Sequence, residues 1–425
     1  MSDCTFPKRP ELPTRAWFSY RWQLLAMLCL AFFFNQADRQ VFGVVLTSVR
    51  GDLGLSDAEM GLIASVLFWT LGLLFPIAGY VGDRWSKKWT ITGALLFWSA
   101  ATACTGMCRN AWQLVALRSV ATGGGEAFYA PSAFALIAQF HRRTRALAMS
   151  LHQTAMYAGF VASGLLGGYL SQTYSWRSAF YVFGAGGVVL GVVLALWLKD
   201  SDADAEEPPP TGESPVTLRE LLGAFFGRPS AVLLTLAYAG MLFMHLAYLT
   251  WAPAYFREKF ALSEAQAGFA SMFWFQAFAL VGILLASLLS DRWARQRRSV
   301  RLEMLAFGMI ASVPFICLLG LSSNVTWAAV ALAGFGLFRS AYDANSYAAL
   351  FEVIPPRYRA SANGLMSTIG FILGASAPYV MGLLKTPLGL SGAFVVFSLA
   401  HVLAAAAIVV ARVRFFHADA YTPES

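Results

Sequence analysis

The chain has 425 residues, 58% hydrophobic and 13% charged, against roughly 25% charged in an average soluble domain. That composition excludes a water-soluble protein. The net charge of +8, from 31 Lys and Arg against 23 Asp and Glu, does not indicate nucleic acid either, because the basic residues sit in short loops and not along one amphipathic face.

Residues 1–21 carry Lys8, Arg9, Arg15 and Arg21, three prolines and no apolar core, and read as a soluble tail. Apolar runs then recur, each long enough to cross a hydrocarbon layer of about 30 Å. Six predicted spans (22–49, 57–81, 89–107, 112–140, 146–170 and 176–198) form a first bundle over 22–198. The linker 199–230 follows, with five acidic residues ahead of Pro208, Pro209 and Pro210. Within it Leu218, Leu221, Leu222, Phe225 and Phe226 recur at helical spacing and predict a short interfacial helix. Six further spans (231–256, 264–290, 300–322, 326–351, 360–384 and 391–411) form a second bundle over 231–411, and residues 412–425 are a tail. The expected fold class is an all-α membrane protein of twelve transmembrane helices in two six-helix halves, working as a monomer in a lipid bilayer.

With the N-terminus cytoplasmic, the inner segments hold 22 Lys and Arg and the outer loops six, while Arg39, Arg118 and Arg339 fall inside spans. Short-loop cations set orientation, so both termini are expected on the cytoplasmic side of the cell's inner (plasma) membrane. The halves repeat: Leu55-Ser56-Asp57-Ala58-Glu59-Met60-Gly61 matches Leu262-Ser263-Glu264-Ala265-Gln266-Ala267-Gly268 at an offset of 207, each a capping-box helix start. Asp83-Arg84-Trp85 likewise matches Asp291-Arg292-Trp293. Parallel repeats of this kind belong to transporters with a site near the midplane between the halves. The five cysteines, at 4, 29, 104, 108 and 317, form neither a disulfide framework nor a CxxC pair. No P-loop, metal cluster or nucleophile with its base is present in the sequence, so no cofactor, no metal and no enzymatic activity are expected.

Gly79-Tyr80-Val81-Gly82-Asp83-Arg84-Trp85-Ser86-Lys87-Lys88 resembles the signature loop of the Major Facilitator Superfamily, G-x-x-x-D-R-x-G-[RK]-[RK], with Ser86 where glycine is common. Asp38-Arg39-Gln40-Val41 and Gly124-Gly125-Glu126-Ala127 are similar to its anion:cation symporter (organic-anion and sugar-acid) and Spinster-like branches. The resemblance implies the superfamily fold and a gating role for Asp83 and Arg84, with Asp291 and Arg292 as the weaker copy. In the branch pattern the span 4 arginine and glutamate stand seven residues apart; here Arg118 and Glu126 stand eight apart. Seven helical steps return to within about 20° and eight land about 80° away, so direct pairing requires the glycine run 123–125 to absorb a residue as a bulge.

Six intramembrane charges carry the chemistry: Asp38 and Arg39, Arg118 and Glu126, Arg339 and Asp343. Each costs about 2.5 to 3.5 kcal/mol unpaired near the bilayer centre, so they must face a cavity or one another. Arg339 and Asp343 read equally as a structural i to i+4 pair or as cavity groups. Asp38 and Arg39 point about 100° apart on a helix and need separate partners. His245 stands opposite Asp38 in the repeat, and His152, Tyr129, Tyr157 and Tyr342 are cavity candidates. The leading function is proton-coupled transport of a small organic anion, a carboxylate, with Arg39, Arg118 and Arg339 as donors and Asp38 and Glu126 as proton carriers. The alternative is a Spinster-like exporter of an amphipathic lipid-like molecule, for which a lateral apolar slot is the discriminating feature.

Overall fold

The computed structural model describes residues 20–141, 144–199, 217–294, 297 and 299–421, without the side chains of Asp83 and Ala146. Among the described residues there is no β-strand. Spans 1 to 3 are the helices Tyr20–Leu53, Asp57–Arg84 and Lys87–Thr105. Span 4 is assembled from Ala111–Leu114, a π-helical stretch Val115–Ala121, Thr122–Glu126 and Tyr129–Phe140. Span 5 has a second π turn, Ser163–Gly167, between Arg145–Ala162 and Gly168–Thr173. Span 6 is Trp176–Trp197.

The amphipathic stretch in the linker forms the helix Leu218–Phe226, ahead of span 7, Pro229–Phe260. Glu264–Ala294, Val300–Leu321 and Val325–Val353 are spans 8 to 10. Span 11 is Arg359–Gly374 and the first part of Ala377–Val410, which breaks at Gly389 (φ 65°) before span 12. Only glycine adopts that conformation without steric cost. Among the described residues, seven helical runs are long and apolar enough to cross a membrane, the last of them holding spans 11 and 12. Spans 4 and 5 are divided by their π turns and span 1 carries intramembrane charge, so the twelve passes are not equally apolar.

Both capping boxes of the repeat form. Ser56 and Glu59 exchange bonds of 2.8 and 3.2 Å, and Ser263 and Gln266 bonds of 3.2 and 3.3 Å. They start spans 2 and 8 on the face away from Tyr20 and Tyr421, the first and last described residues; that face is called distal below.

The two halves meet closely on that distal face. A Cβ built on Gly164 (span 5) would lie 2.4 Å from the Gly268 carbonyl oxygen (span 8), and one on Gly268 would lie 2.3 Å from that of Gly164. Backbones touch here because neither residue has a side chain. Gln40 Nε2 donates to the Leu249 carbonyl at 2.7 Å, and Ser65 accepts from the Tyr379 N–H at 3.0 Å. Two repeat-related ion pairs lie beyond this seal: Arg50 with Asp57 at 2.6 Å, and Arg257 with Glu264. Lys385 joins Asp57 at 2.9 Å to Glu258 at 2.7 Å, while Arg257 also donates to Thr47 at 2.6 Å and Ser48 at 2.9 Å. The hydrogen bonds and ion pairs joining described residues of the two halves lie at mid-span or on the distal side. Trp69 Nε1 to the Ile372 carbonyl, at 2.9 Å, is the one nearest the termini. The bonds and ion pairs that join described residues of the two halves therefore seal the distal side.

Candidate functional site

A cavity of about 310 Å³ lies between the halves, with Gln36, Arg39, Gln153 and Tyr157 on one wall and His245, Gln276, Arg339 and Asp343 on the other. Arg39 also lines a narrow void of about 10 Å³ with Arg118, Gln40 and Thr250, room for one water. Arg39, Phe68 and Leu249 line both spaces, and Arg39 is the charged one among them.

Behind Arg39 sits a cluster closed to the cavity. Arg39 Nε and Nη2 each lie 2.9 Å from Glu126 Oε2. Asp38, on the neighbouring position, turns into the N-terminal half, where Trp98 Nε1 donates to its Oδ2 at 3.1 Å. Arg118 Nη2 donates to the Arg39 backbone carbonyl at 2.7 Å. Asp38, Arg118 and Glu126 are 0 to 2% exposed. Asp38 Oδ1, Glu126 Oε1 and Arg118 Nε and Nη1 are buried without a protein partner. Such atoms are costly in a low-dielectric interior and mark a cluster whose bonding is completed by water, a proton or a ligand.

Local sequence explains the geometry. The π stretch Val115–Ala121 takes up one extra residue, so the bulge expected at the glycine run falls just before it. Arg118 and Glu126 form no direct ion pair; Arg39 takes the glutamate instead. Gly125 allows span 3 to approach, since a Cβ there would lie 2.8 Å from that of Trp98. This brings the Trp98 indole to Asp38, a donor that no charge pattern in the sequence signals.

The other predicted groups divide. Arg339 and Asp343 form the i to i+4 pair, at 3.0 Å, and both also line the cavity. His245 and Tyr157 line it as well, and His245 Nδ1 has no partner. Tyr129 and His152 turn away: they bond to each other at 3.0 Å inside the N-terminal half, with Tyr129 donating to the Leu28 carbonyl at 2.6 Å. Phe32 stacks on His152 at 4.4 Å and closes that core. Tyr342 is buried against Tyr238 and does not line the cavity. The polar cavity groups absent from the sequence reading are uncharged side chains: Gln36, Gln153, Gln276, Ser346, Tyr238 and Tyr347.

Arg84 bonds the Tyr80 hydroxyl on its own helix, Asp291 pairs with Arg301 at 3.7 Å, and Arg292 is exposed. None of these three reaches the opposite half, and the Asp83 side chain lies outside the described residues. The ion pairs that do join the halves are the distal ones, and Glu258 and Lys385 belong to them beyond the residues related by the repeat.

The sequence profile of the Major Facilitator Superfamily matches residues 28–302 and 274–420. The chain belongs to the Major Facilitator Superfamily. Like the other members it is similar to, this superfamily protein is a transporter and not an enzyme. It is 26% identical to the probable galactarate/D-glucarate transporter GudP of Bacillus subtilis, over 91% of this chain and 90% of that one. It is 28% identical to Protein spinster homolog 1 of Mus musculus, over 85% and 72%. In fold it resembles a bacterial homologue of the human lysosomal transporter Spinster, crystallised inward-facing and unoccupied, with a TM-score of 0.82 at 21% identity over 95% of this chain and 99% of that one.

Proposed function

We propose that this superfamily member moves a small organic anion, a carboxylate, by alternating access and couples it to protons. One observation carries the reading: Arg39 lines the central cavity while the Nε and Nη2 donors of its carboxylate-matching edge are both held by Glu126 Oε2. An anion arriving at Arg39 competes with an internal carboxylate, and a proton on Glu126 removes the competitor. Anion and proton are then favoured together, which is the linkage a symporter requires. Asp38, beside Arg118 and tied to Trp98, is the second proton carrier, and the buried cluster returns to neutrality as cargo and proton leave. The similarity to a probable galactarate/D-glucarate transporter supports an acidic cargo. We further propose that the protein is a monomer with both termini cytoplasmic in the inner membrane and with 199–230 as a cytoplasmic linker, so that the conformation described is inward-facing.

The Spinster-like reading has one observation in its favour. An apolar groove of about 580 Å³ runs along the outside of spans 3 and 4, lined by Trp85, Trp89, Phe97, Gly124, Gly125 and Phe128. It contains none of the six intramembrane charges, so the anion reading comes first. Uptake into proteoliposomes under an inward proton gradient decides between them. Accumulation of a sugar acid abolished by dissipating the gradient is the expected result; transport of a sphingoid phosphate with no sugar-acid uptake would reverse the assignment.

A further inference from the structure

The two arginines facing the cavity are held differently. On the N-terminal side the Nε–Nη2 edge of Arg39 is occupied by Glu126 Oε2. On the C-terminal side the same edge of Arg339 is occupied by a thioether: Nε and Nη2 lie 3.4 and 3.2 Å from Met241 Sδ. This edge offers two parallel N–H donors and matches a carboxylate, whereas a thioether sulfur is a weak acceptor. Arg339 is 7% exposed, so the guanidinium has little water in place of a proper partner. Asp343 takes only Nη2, at 3.0 Å. The same wall carries two further unpartnered nitrogens, His245 Nδ1 and Gln276 Nε2. Arg339 thus presents a carboxylate-shaped edge with a neutral, displaceable cap.

We propose that the Nε–Nη2 edge of Arg339, capped by Met241, is an open carboxylate subsite, and that the cargo is a dicarboxylate whose second carboxylate takes Arg39 once Glu126 is protonated. This rests on the anion-transport reading and adds the class of cargo and the order of events. The first carboxylate displaces a sulfur and needs no proton. The second displaces a charged oxygen and needs one. A monocarboxylate fills the Arg339 subsite alone and leaves the Arg39–Glu126 pair intact, so it binds without recruiting the proton. Glu126 is faced by Arg39 and Asp38 from span 1 and by Arg118 from its own span. Leu67, Thr70, Phe97 and Trp98, which spans 2 and 3 bring against the glycines beside it, do not titrate. Arg339 is faced within its own half by Asp343, Met241, Phe275 and His245, with His401, Tyr248 and Tyr342 also in its field, and by Tyr157 across the cavity. Any pH effect arising from His245 has to be separated from one arising at Glu126.

The test is binding of D-glucarate and D-gluconate, which share a six-carbon chain and differ by one carboxylate, to the purified full chain at pH 5.5 and 7.5 by calorimetry. D-glucarate is expected to bind about tenfold or more tighter at the lower pH, and D-gluconate with little pH dependence. Glu126→Gln should erase the D-glucarate slope. Met241→Leu, which removes the cap and keeps the shape, should tighten D-glucarate several-fold. Met241→Glu, which installs an internal carboxylate, should weaken both ligands about tenfold or more, and Met241→Gln, less disruptive to folding, should weaken them less. Equal affinities and equal pH slopes for the two acids overturn the proposal, as does a slope that survives Glu126→Gln or a folded Met241→Glu protein that binds like the wild type. Binding of neither acid would overturn it together with the anion-transport reading, whereas binding of both without these differences would leave that reading standing.

Discussion

The distal seal gives a sharp mechanical prediction, because its closest contact is backbone on backbone. In Gly164→Ala the new methyl would sit 2.4 Å from the Gly268 carbonyl oxygen and 2.7 Å from its carbon. Ordinary contact begins at 3.4 Å, so the halves must separate there by about 1 Å (3.4 minus 2.4), and two helix backbones cannot yield as a side chain can. Overpacking of this kind costs about 1–3 kcal/mol. The cost falls on the distally sealed state alone, since spans 5 and 8 part when that face opens. A difference of that size shifts the ratio of the two conformations about 5- to 150-fold. Spin labels at Leu147 and Leu288, both exposed and on the terminal parts of spans 5 and 8, report the change in a cysteine-free background. Pulsed dipolar spectroscopy should show the population moving toward shorter terminal-side distances. Gly51→Ala is the control: it is on the same face, and a Cβ there meets nothing within 4 Å. An unchanged distance distribution in a folded Gly164→Ala protein, or the same change in the control, would refute the reasoning.

Neutralising the proposed proton carriers should separate two assays. Glu126→Gln and Asp38→Asn are expected to lose uphill, pH-driven accumulation and to keep counterflow exchange, and equal loss of both would defeat the coupling assignment. Arg39→Lys keeps the charge but gives up the two parallel donors at 2.9 Å, so anion binding should weaken by about 1.5–3 kcal/mol, tenfold or more; calorimetric affinity within threefold of wild type would remove Arg39 from the substrate site. For topology, a cysteine at Ser214 should resist an impermeant thiol reagent in intact cells and react after permeabilisation. Ready labelling of intact cells would reverse the orientation.

The helical passes were legible because hydropathy and capping boxes are local signals, and the two halves because the chain repeats itself at an offset of 207. The six intramembrane charges stood out for the same reason: each is expensive in an apolar run. Their partners were not legible. That Arg39 takes Glu126 while Arg118 bonds a backbone carbonyl depends on how spans 1 and 4 are rotated against each other, and one residue of π helix is enough to change that phase. Tyr129 lies near Glu126 along span 4 and His152 beside Gln153 and Thr154 in span 5, yet both face a core that contains Phe32; position along a span says nothing about which face meets the cavity. The repeat relates four of the six charged members of the distal ring, Arg50 and Asp57 to Arg257 and Glu264. Glu258 and Lys385 have no counterpart in the matched segments, and they come together with Asp57 only when spans 2, 7 and 11 are assembled.

The π-helical stretch Val115–Ala121 also governs how this protein should be lined up with its kin. Where a relative carries the seven-residue spacing, a gap-free comparison slips by one position somewhere between Arg118 and Glu126, where this chain has eight. Gap penalties discourage indels inside a helix, yet a π turn is a helix with one residue inserted. The insertion therefore belongs inside span 4, within 115–121, and not in the loops on either side. A conservation profile built without that gap would score one of these two charged positions against its neighbour's column, and would report as variable a site whose chemistry had never changed.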